Sequence, residues 1–86
     1  MAAWLIVETK RSRRDAKKLL AAKLQGNAQA LLEVLAVDPF RPPFEKLVGD
    51  LAGMYSRRIN IQHRLVYEVF KKERAVRILS MWTHYD

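Results

Sequence analysis

At Met54 the chain changes its hydrophobic period, and that change limits what it can fold into. Upstream, Ala16, Leu19, Leu20 and Leu24, then Ala28, Leu31, Val34 and Leu35, recur at helical spacing. Downstream, YSRRINI, HRLVYEVF and a run from Ala75 to Trp82 are β-rich, broken at Asn60–Gln62 and at the polar Lys71–Arg74. A helical period cannot serve as a strand, nor a strand period as a helix, so the two halves form different layers. With 86 residues and no cysteine, the chain is read as one domain, residues 1–86. Its core must come from apolar packing without disulfides or thiolate metal sites, and an intracellular, cytoplasmic setting fits that composition.

The sequence predicts the order β-α-α-β-β-β. Trp4–Thr9 (WLIVET) reads as a short strand buried on both faces. Ser12, three residues before Asp15, reads as a capping-box-like start for the first helix. Gly26-Asn27 reads as its end and as the cap of the second, which Asp38-Pro39 stops. Residues 41–53, RPPFEKLVGDLAG, carry two prolines and two glycines and are expected to be an ordered loop. The helical hairpin then covers one face of a small, mostly antiparallel sheet, an α+β arrangement that leaves the other face open. Within HRLVYEVF, Leu65, Tyr67 and Val69 alternate with Arg64, Val66 and Glu68, so Arg64 looks out from the uncovered face.

Sixteen Lys and Arg against nine Asp and Glu give a formal charge of +7, which favours a polyanionic partner, most simply nucleic acid. An acidic protein, an anionic membrane surface or no partner at all are the alternatives on charge alone. Arg14, Lys17 and Lys18 share the back of the first helix, either as a solvated face or as a phosphate-contacting surface that includes Lys17 and Lys18. The apolar run in MAAWLIVETK is too short for a membrane span and lacks the flanks of a signal peptide, so no membrane association is expected. His63 and His84 are the only histidines; no metal and no cofactor are expected.

Gly-rich phosphate loops, His-Glu-x-x-His helices and Gly-x-Ser-x-Gly elbows are all missing from the sequence. What remains is acid, base and charge: Glu45 in the proline loop, Arg57-Arg58, His63-Arg64 and the terminal His84-Tyr85. Metal-free RNA cleavage needs a base for the 2′-hydroxyl proton, an acid for the 5′-oxygen and a cation for the phosphorane. These residue types suffice for it, but any small basic protein contains them.

The stretch FEKLVGDLAGMYSRRINIQHRLVYEV, together with ILSMWTHYD at the end, resembles the YoeB/Txe branch of the RelE-like bacterial toxins. The resemblance covers residues 44–86; the first half agrees in order of elements but hardly in sequence. It implies a RelE-like fold and a toxin that enters the ribosomal A site and cleaves messenger RNA. A cognate acidic antitoxin of the YefM/Axe kind would hold it inactive, and a homodimer is left open. The family's pattern puts the general base on Glu45, the transition-state cation on Arg64, the general acid on His84 and a substrate-positioning tyrosine on Tyr85. Arg58, in the matching SRR, is implied as a phosphate contact, and Arg57 and Lys46 join it as RNA-binding candidates. Two departures stand out. Val48 occupies a place where the family commonly carries lysine, with Lys46 ahead of Leu47 instead, and Asp86 follows the tyrosine. Two further readings stand beside the nuclease: a ribosome or RNA binder that blocks without cutting, and a related toxin with another target, against which the terminal His-Tyr argues.

Overall fold

The computed structural model describes residues 3–84, the last two by their backbone alone. The elements follow the expected order with two additions, a strand at Glu45–Lys46 and a 3₁₀ turn at Gly49–Leu51: β1 (Leu5–Glu8), α1 (Lys10–Ala21), α2 (Gln25–Val37), β2 (Glu45–Lys46), β3 (Met54–Arg58), β4 (His63–Phe70) and β5 (Ala75–His84). The sheet order is β1-β5-β4-β3-β2; β1 runs parallel to β5 and the other pairs are antiparallel. The strands after Met54 form the middle of the sheet, and β1 and β2, both upstream of Met54, join it as its two edges, so the period change separates the helical hairpin from most but not all of the sheet layer.

β1 corrects the expectation of a doubly buried strand. It is an edge strand paired only with β5, so Leu5 and Val7 remain 66% and 39% exposed while Ile6 packs on the core. The first helix also starts earlier than expected. Thr9 is its N-cap and Ser12 its third helical residue: Ser12 N donates to Thr9 Oγ1 at 3.1 Å, and Thr9 N donates to Ser12 Oγ at 2.9 Å. This reciprocal capping box satisfies two donors that a helix end leaves open. Thr9 Oγ1 also donates to Ile78 O at 2.9 Å, fastening the helix start to β5.

The turn between the helices is the second correction. Leu24 N bonds Leu19 O and Lys23 N bonds Leu20 O, with Lys23 at φ 61°. This is a Schellman closure with lysine where glycine is usual. Gly26 and Asn27 lie inside the first turn of α2, where Asn27 Nδ2 reaches Ile59 O at 3.2 Å. Leu20, expected in the core, is turned about 100° from Leu19 and is 57% exposed beside the groove between the helices.

Leu19, Ala28 and Leu35 from the helices meet Leu65, Tyr67, Val76, Ile78 and Met81 from the sheet to make the core. Asp15, 3% exposed, crosses this seam: its Oδ2 accepts the Met81 N–H at 2.9 Å. The β4–β5 register shifts here. Arg64 pairs with Thr83 and Val66 with Ser80, so Met81 and Trp82 together face Leu65. A bulge frees a backbone donor from the ladder, and Asp15 supplies the acceptor.

Two measurements check these assignments. Asp15→Ala strands a buried N–H and should cost about 1–3 kcal/mol in urea unfolding, with Asp15→Asn recovering part of the loss; an unchanged midpoint for Asp15→Ala would remove the bulge cap. Lys23→Gly relieves the left-handed backbone and should raise stability by about 0.5–1 kcal/mol; a loss would show that the lysine side chain stabilises the turn.

Candidate active site

The loop expected over residues 41–53 contains a short regular element. Glu45 and Lys46 form β2, pairing with Ser56 and Tyr55. Gly49 at φ 68° and Gly53 at φ 92° turn the chain back into β3, a backbone region that glycine enters without steric cost. This pairing, not the loop itself, places Glu45 on the open face.

Cross-strand partners share a face. Glu45 pairs with Ser56, Ser56 with Val66, and Arg58 with Arg64, so these five side chains lie on the side of the sheet away from Leu65 and Tyr67. Glu45 and Arg64 are on strands that flank β3, roughly 9–10 Å apart at the backbone, and they meet across it. Arg64 Nη1 donates to Glu45 Oε1 at 2.5 Å, with the arginine side chain 12% exposed and the carboxylate 58%. Beneath the span lies Ser56, fully buried, whose Oγ has no hydrogen-bond partner among the described residues. A larger side chain at that position would push the two arms of the bridge apart.

Arg58 stands directly opposite Arg64. Like charges in cross-strand register repel, and among the described residues no carboxylate lies within ion-pair distance of Arg58. Two guanidinium groups beside one carboxylate leave this face with an excess of positive charge, an arrangement that attracts an anion and puts a proton acceptor next to it. At the end of β5, Thr83 pairs by backbone with Arg64, and His84 with His63. The strand thus carries the backbone of Thr83 and His84 to the start of β4. Tyr85 lies outside the described residues.

The expectation of an RNA contact at Arg57 is corrected. Arg57 pairs with Leu65 on the covered face and is 4% exposed. Its Nε donates to Tyr67 Oη at 3.2 Å, Nη1 to Pro43 O at 3.1 Å and Nη2 to Pro39 O at 3.2 Å, with a further Nη2 bond to Arg41 O. Tyr67 Oη donates to Pro39 O at 3.0 Å. Burial pushes the Tyr67 phenol above its ordinary pKa despite the neighbouring guanidinium, so it stays a neutral donor. Arg57 therefore fastens the proline loop and has no surface left for RNA.

The other candidates lie apart from the ion pair. Lys46 is exposed on the edge strand and pairs with Tyr55, which directs it away from Glu45. Lys17 and Lys18 are exposed on α1, on the covered side of the sheet. His63, read as structural, is 3% exposed and stacks on Trp82 with centroids 3.8 Å apart. Ser56 and the role of Arg57 escaped the sequence reading. Strand parity carried the signal for both, since Tyr55 and Arg57 must share one face of MYSRR, and Ser56 and Arg58 the other.

This fold and pattern recur in known proteins. A family model described as the YoeB-like toxin of bacterial type II toxin–antitoxin systems matches residues 9–85. The chain belongs to the YoeB-like toxins. Toxin YoeB of Synechocystis sp. is 40% identical over 68 residues, covering 74% of each chain. A YoeB/ParE toxin from Agrobacterium tumefaciens superposes with a TM-score of 0.84 at 29% identity, covering 94% of this chain and 99% of that one. YoeB from Staphylococcus aureus, 31% identical, has been solved as a dimer and in complex with YefM, with TM-scores of 0.81 and 0.78; each comparison covers 98% of this chain and 100% of that one. The two helices and five-stranded mixed sheet are thus those of the RelE/YoeB-like toxins. Among the described residues no helix is long and apolar enough to cross a membrane.

For this YoeB-like chain, Arg57→Ala should leave the Arg41 and Pro43 carbonyls without a donor, Pro39 O keeping Tyr67 Oη, and cost about 3 kcal/mol in urea unfolding. Arg57→Lys, with one nitrogen to reach them all, should recover less than half. Wild-type stability in Arg57→Ala would overturn the fastener role.

Proposed function

We propose that this YoeB-like toxin is a ribosome-dependent endoribonuclease that cleaves messenger RNA in the ribosomal A site, within the cytoplasm, by metal-independent acid–base chemistry. The observation that carries this reading is the Glu45–Arg64 pair spanning Ser56, with Arg58 alongside. A scissile phosphate drawn to Arg58 and Arg64 competes with Glu45 for the Arg64 guanidinium, and the released carboxylate is then a base at the phosphate's edge. Glu45 takes the 2′-hydroxyl proton and the 2′-oxygen attacks phosphorus. Arg64 and Arg58 balance the charge that builds on the phosphorane oxygens. His84 gives a proton to the departing 5′-oxygen, and Tyr85 holds the nucleotide against the site. The products are a 2′,3′-cyclic phosphate and a 5′-hydroxyl, with no net change in protons once acid and base exchange roles through water.

The backbone pairing of Thr83 with Arg64 supports this division of labour, because it brings the backbone of His84 to the same end of the sheet as the ion pair. The partner of the free toxin is a cognate acidic antitoxin of the YefM kind, as in the Staphylococcus aureus complex. Homodimer formation follows the same relative. A segment rich in carboxylates complements a chain of formal charge +7 and competes with RNA for the arginines.

Primer extension on a translated message, with purified toxin and ribosomes, should show new 5′ ends within the A-site codon. Glu45→Ala and His84→Gln should each slow their appearance by roughly 10²-fold or more. Ribosome binding without new ends would replace cleavage by blocking, and a near-normal rate in either variant would remove that residue's role.

A further inference from the structure

The bridge from Glu45 to Arg64 needs a small residue beneath it, and alanine would meet that need. The chain carries Ser56 there instead, with a fully buried hydroxyl that has no hydrogen-bond partner among the described residues. Its two cross-strand neighbours are Glu45 and Val66, and the buried Val66 offers no side-chain acceptor. A hydroxyl taken out of water without a partner destabilises a fold. A buried polar group kept in spite of that cost points to a state in which it is paired.

Glu45 is the group that lacks a second hold. It lies on a two-residue edge strand with β3 on one side only, and among the described residues Arg64 alone bonds its exposed carboxylate. When a phosphate takes over the Arg64 guanidinium, that hold is lost. A glutamate has several rotatable bonds, and a base that wanders among its rotamers forfeits the advantage of being positioned. Residues directly opposite on antiparallel strands have Cβ atoms about 4.5–5.5 Å apart. A carboxylate folding back from Arg64 therefore comes within reach of Ser56 Oγ, on the same face of the sheet.

We infer that Ser56 is a positioning residue for the base. Once a phosphate holds Arg64, Ser56 Oγ donates a hydrogen bond to one carboxylate oxygen of Glu45 and keeps the other turned toward the 2′-hydroxyl. The serine acts through Glu45 and gives up no proton: its O–H bond stays intact while the 2′-hydroxyl proton passes to the carboxylate. A hydrogen bond from a hydroxyl to a carboxylate is short and strong away from water, and this one forms only after the ion pair has opened. The Glu45–Arg64 bridge and the Glu45–Ser56 bond are thus two positions of one side chain, exchanged by the arrival of the phosphate. The inference deepens the proposed function and rests on its assignment of Glu45 as the base.

Two readouts test it, one of them without cleavage. On programmed ribosomes, Ser56→Ala should lower kcat about 10-fold or more. The half-saturating ribosome concentration should stay within about twofold, because Arg58 and Arg64 still hold the phosphate. In a Glu45→Ala background the same change should slow cleavage no further, since residues that act as a unit are non-additive. The urea midpoint of Ser56→Ala should not fall, because the hydroxyl it removes is unpaired in the resting fold. The second readout uses a dinucleotide made non-cleavable by a 2′-deoxyribose on its 5′ side, added to protein isotope-labelled at its glutamate carboxyl carbons. It should shift the Glu45 carboxyl resonance in the wild type, and shift it differently in Ser56→Ala. An unchanged kcat in Ser56→Ala beside a cutting wild type, an equal loss in the Glu45→Ala background, a lowered urea midpoint, or the same resonance response in both proteins would each overturn the inference. A wild type that binds ribosomes without cutting contradicts the nuclease reading instead, and the resonance then decides the Ser56 contact alone.

Discussion

A buried guanidinium holds the loop from which the candidate base projects. The segment from Pro39 to Pro43 is poor in backbone donors, because three of its five residues are proline and proline has no N–H. Its carbonyls turn inward, and Arg57 meets those of Pro39, Arg41 and Pro43 from β3 while Tyr67 supports the first of them. A charged group this deep is stable only when its donors are matched, and here the matching acceptors are the loop itself. Two residues past Pro43, the chain enters the sheet as β2 and sets Glu45 opposite Ser56. β3 thus does two jobs with alternating side chains: Arg57 fixes the loop from below, and Ser56 leaves room above for the bridge from Glu45 to Arg64.

The other end of the site depends on a different irregularity. The bulge at Met81–Trp82 would leave a buried donor unmet without Asp15. The same bulge turns Trp82 toward His63 and α1 while the backbone continues to pair through Thr83 and His84. One carboxylate on α1 therefore ties the basic helix to β5, which ends at His84. The resulting surfaces differ in character. The open face presents two arginines and a carboxylate, and the seam at α1 presents three cations and an indole.

The order of elements was legible because the change of period at Met54 is strong and the polar turns are short. Arg64 was placed on the open face from alternation alone, and Leu65 and Tyr67 in the core by the same rule. Local chemistry misled where tertiary structure overrode preference. Lys23 takes the left-handed position usually given to glycine, so Gly26 marked the wrong turn. β1 looked doubly buried because Trp4–Val7 is an unbroken apolar run, although only the face bearing Ile6 packs on the core. β2 could not be read at all: two residues carry no period, and their strand exists because β3 is there to pair with them. Arg57 and Arg58 are adjacent and identical in chemistry, so only the parity of β3 separates a buried fastener from an exposed cation.

In the proposed chemistry, Glu45 acts on a ribose 2′-hydroxyl beside a phosphate held by Arg64 and Arg58. That chemistry is tested most directly by a message carrying a single 2′-deoxynucleotide on the 5′ side of the scissile bond, presented to the toxin in the A site of a programmed ribosome. This substitution should abolish cleavage at that bond while leaving toxin binding intact, and the all-ribose message should yield a 2′,3′-cyclic phosphate. Cleavage of the deoxy-substituted bond would contradict the proposed chemistry.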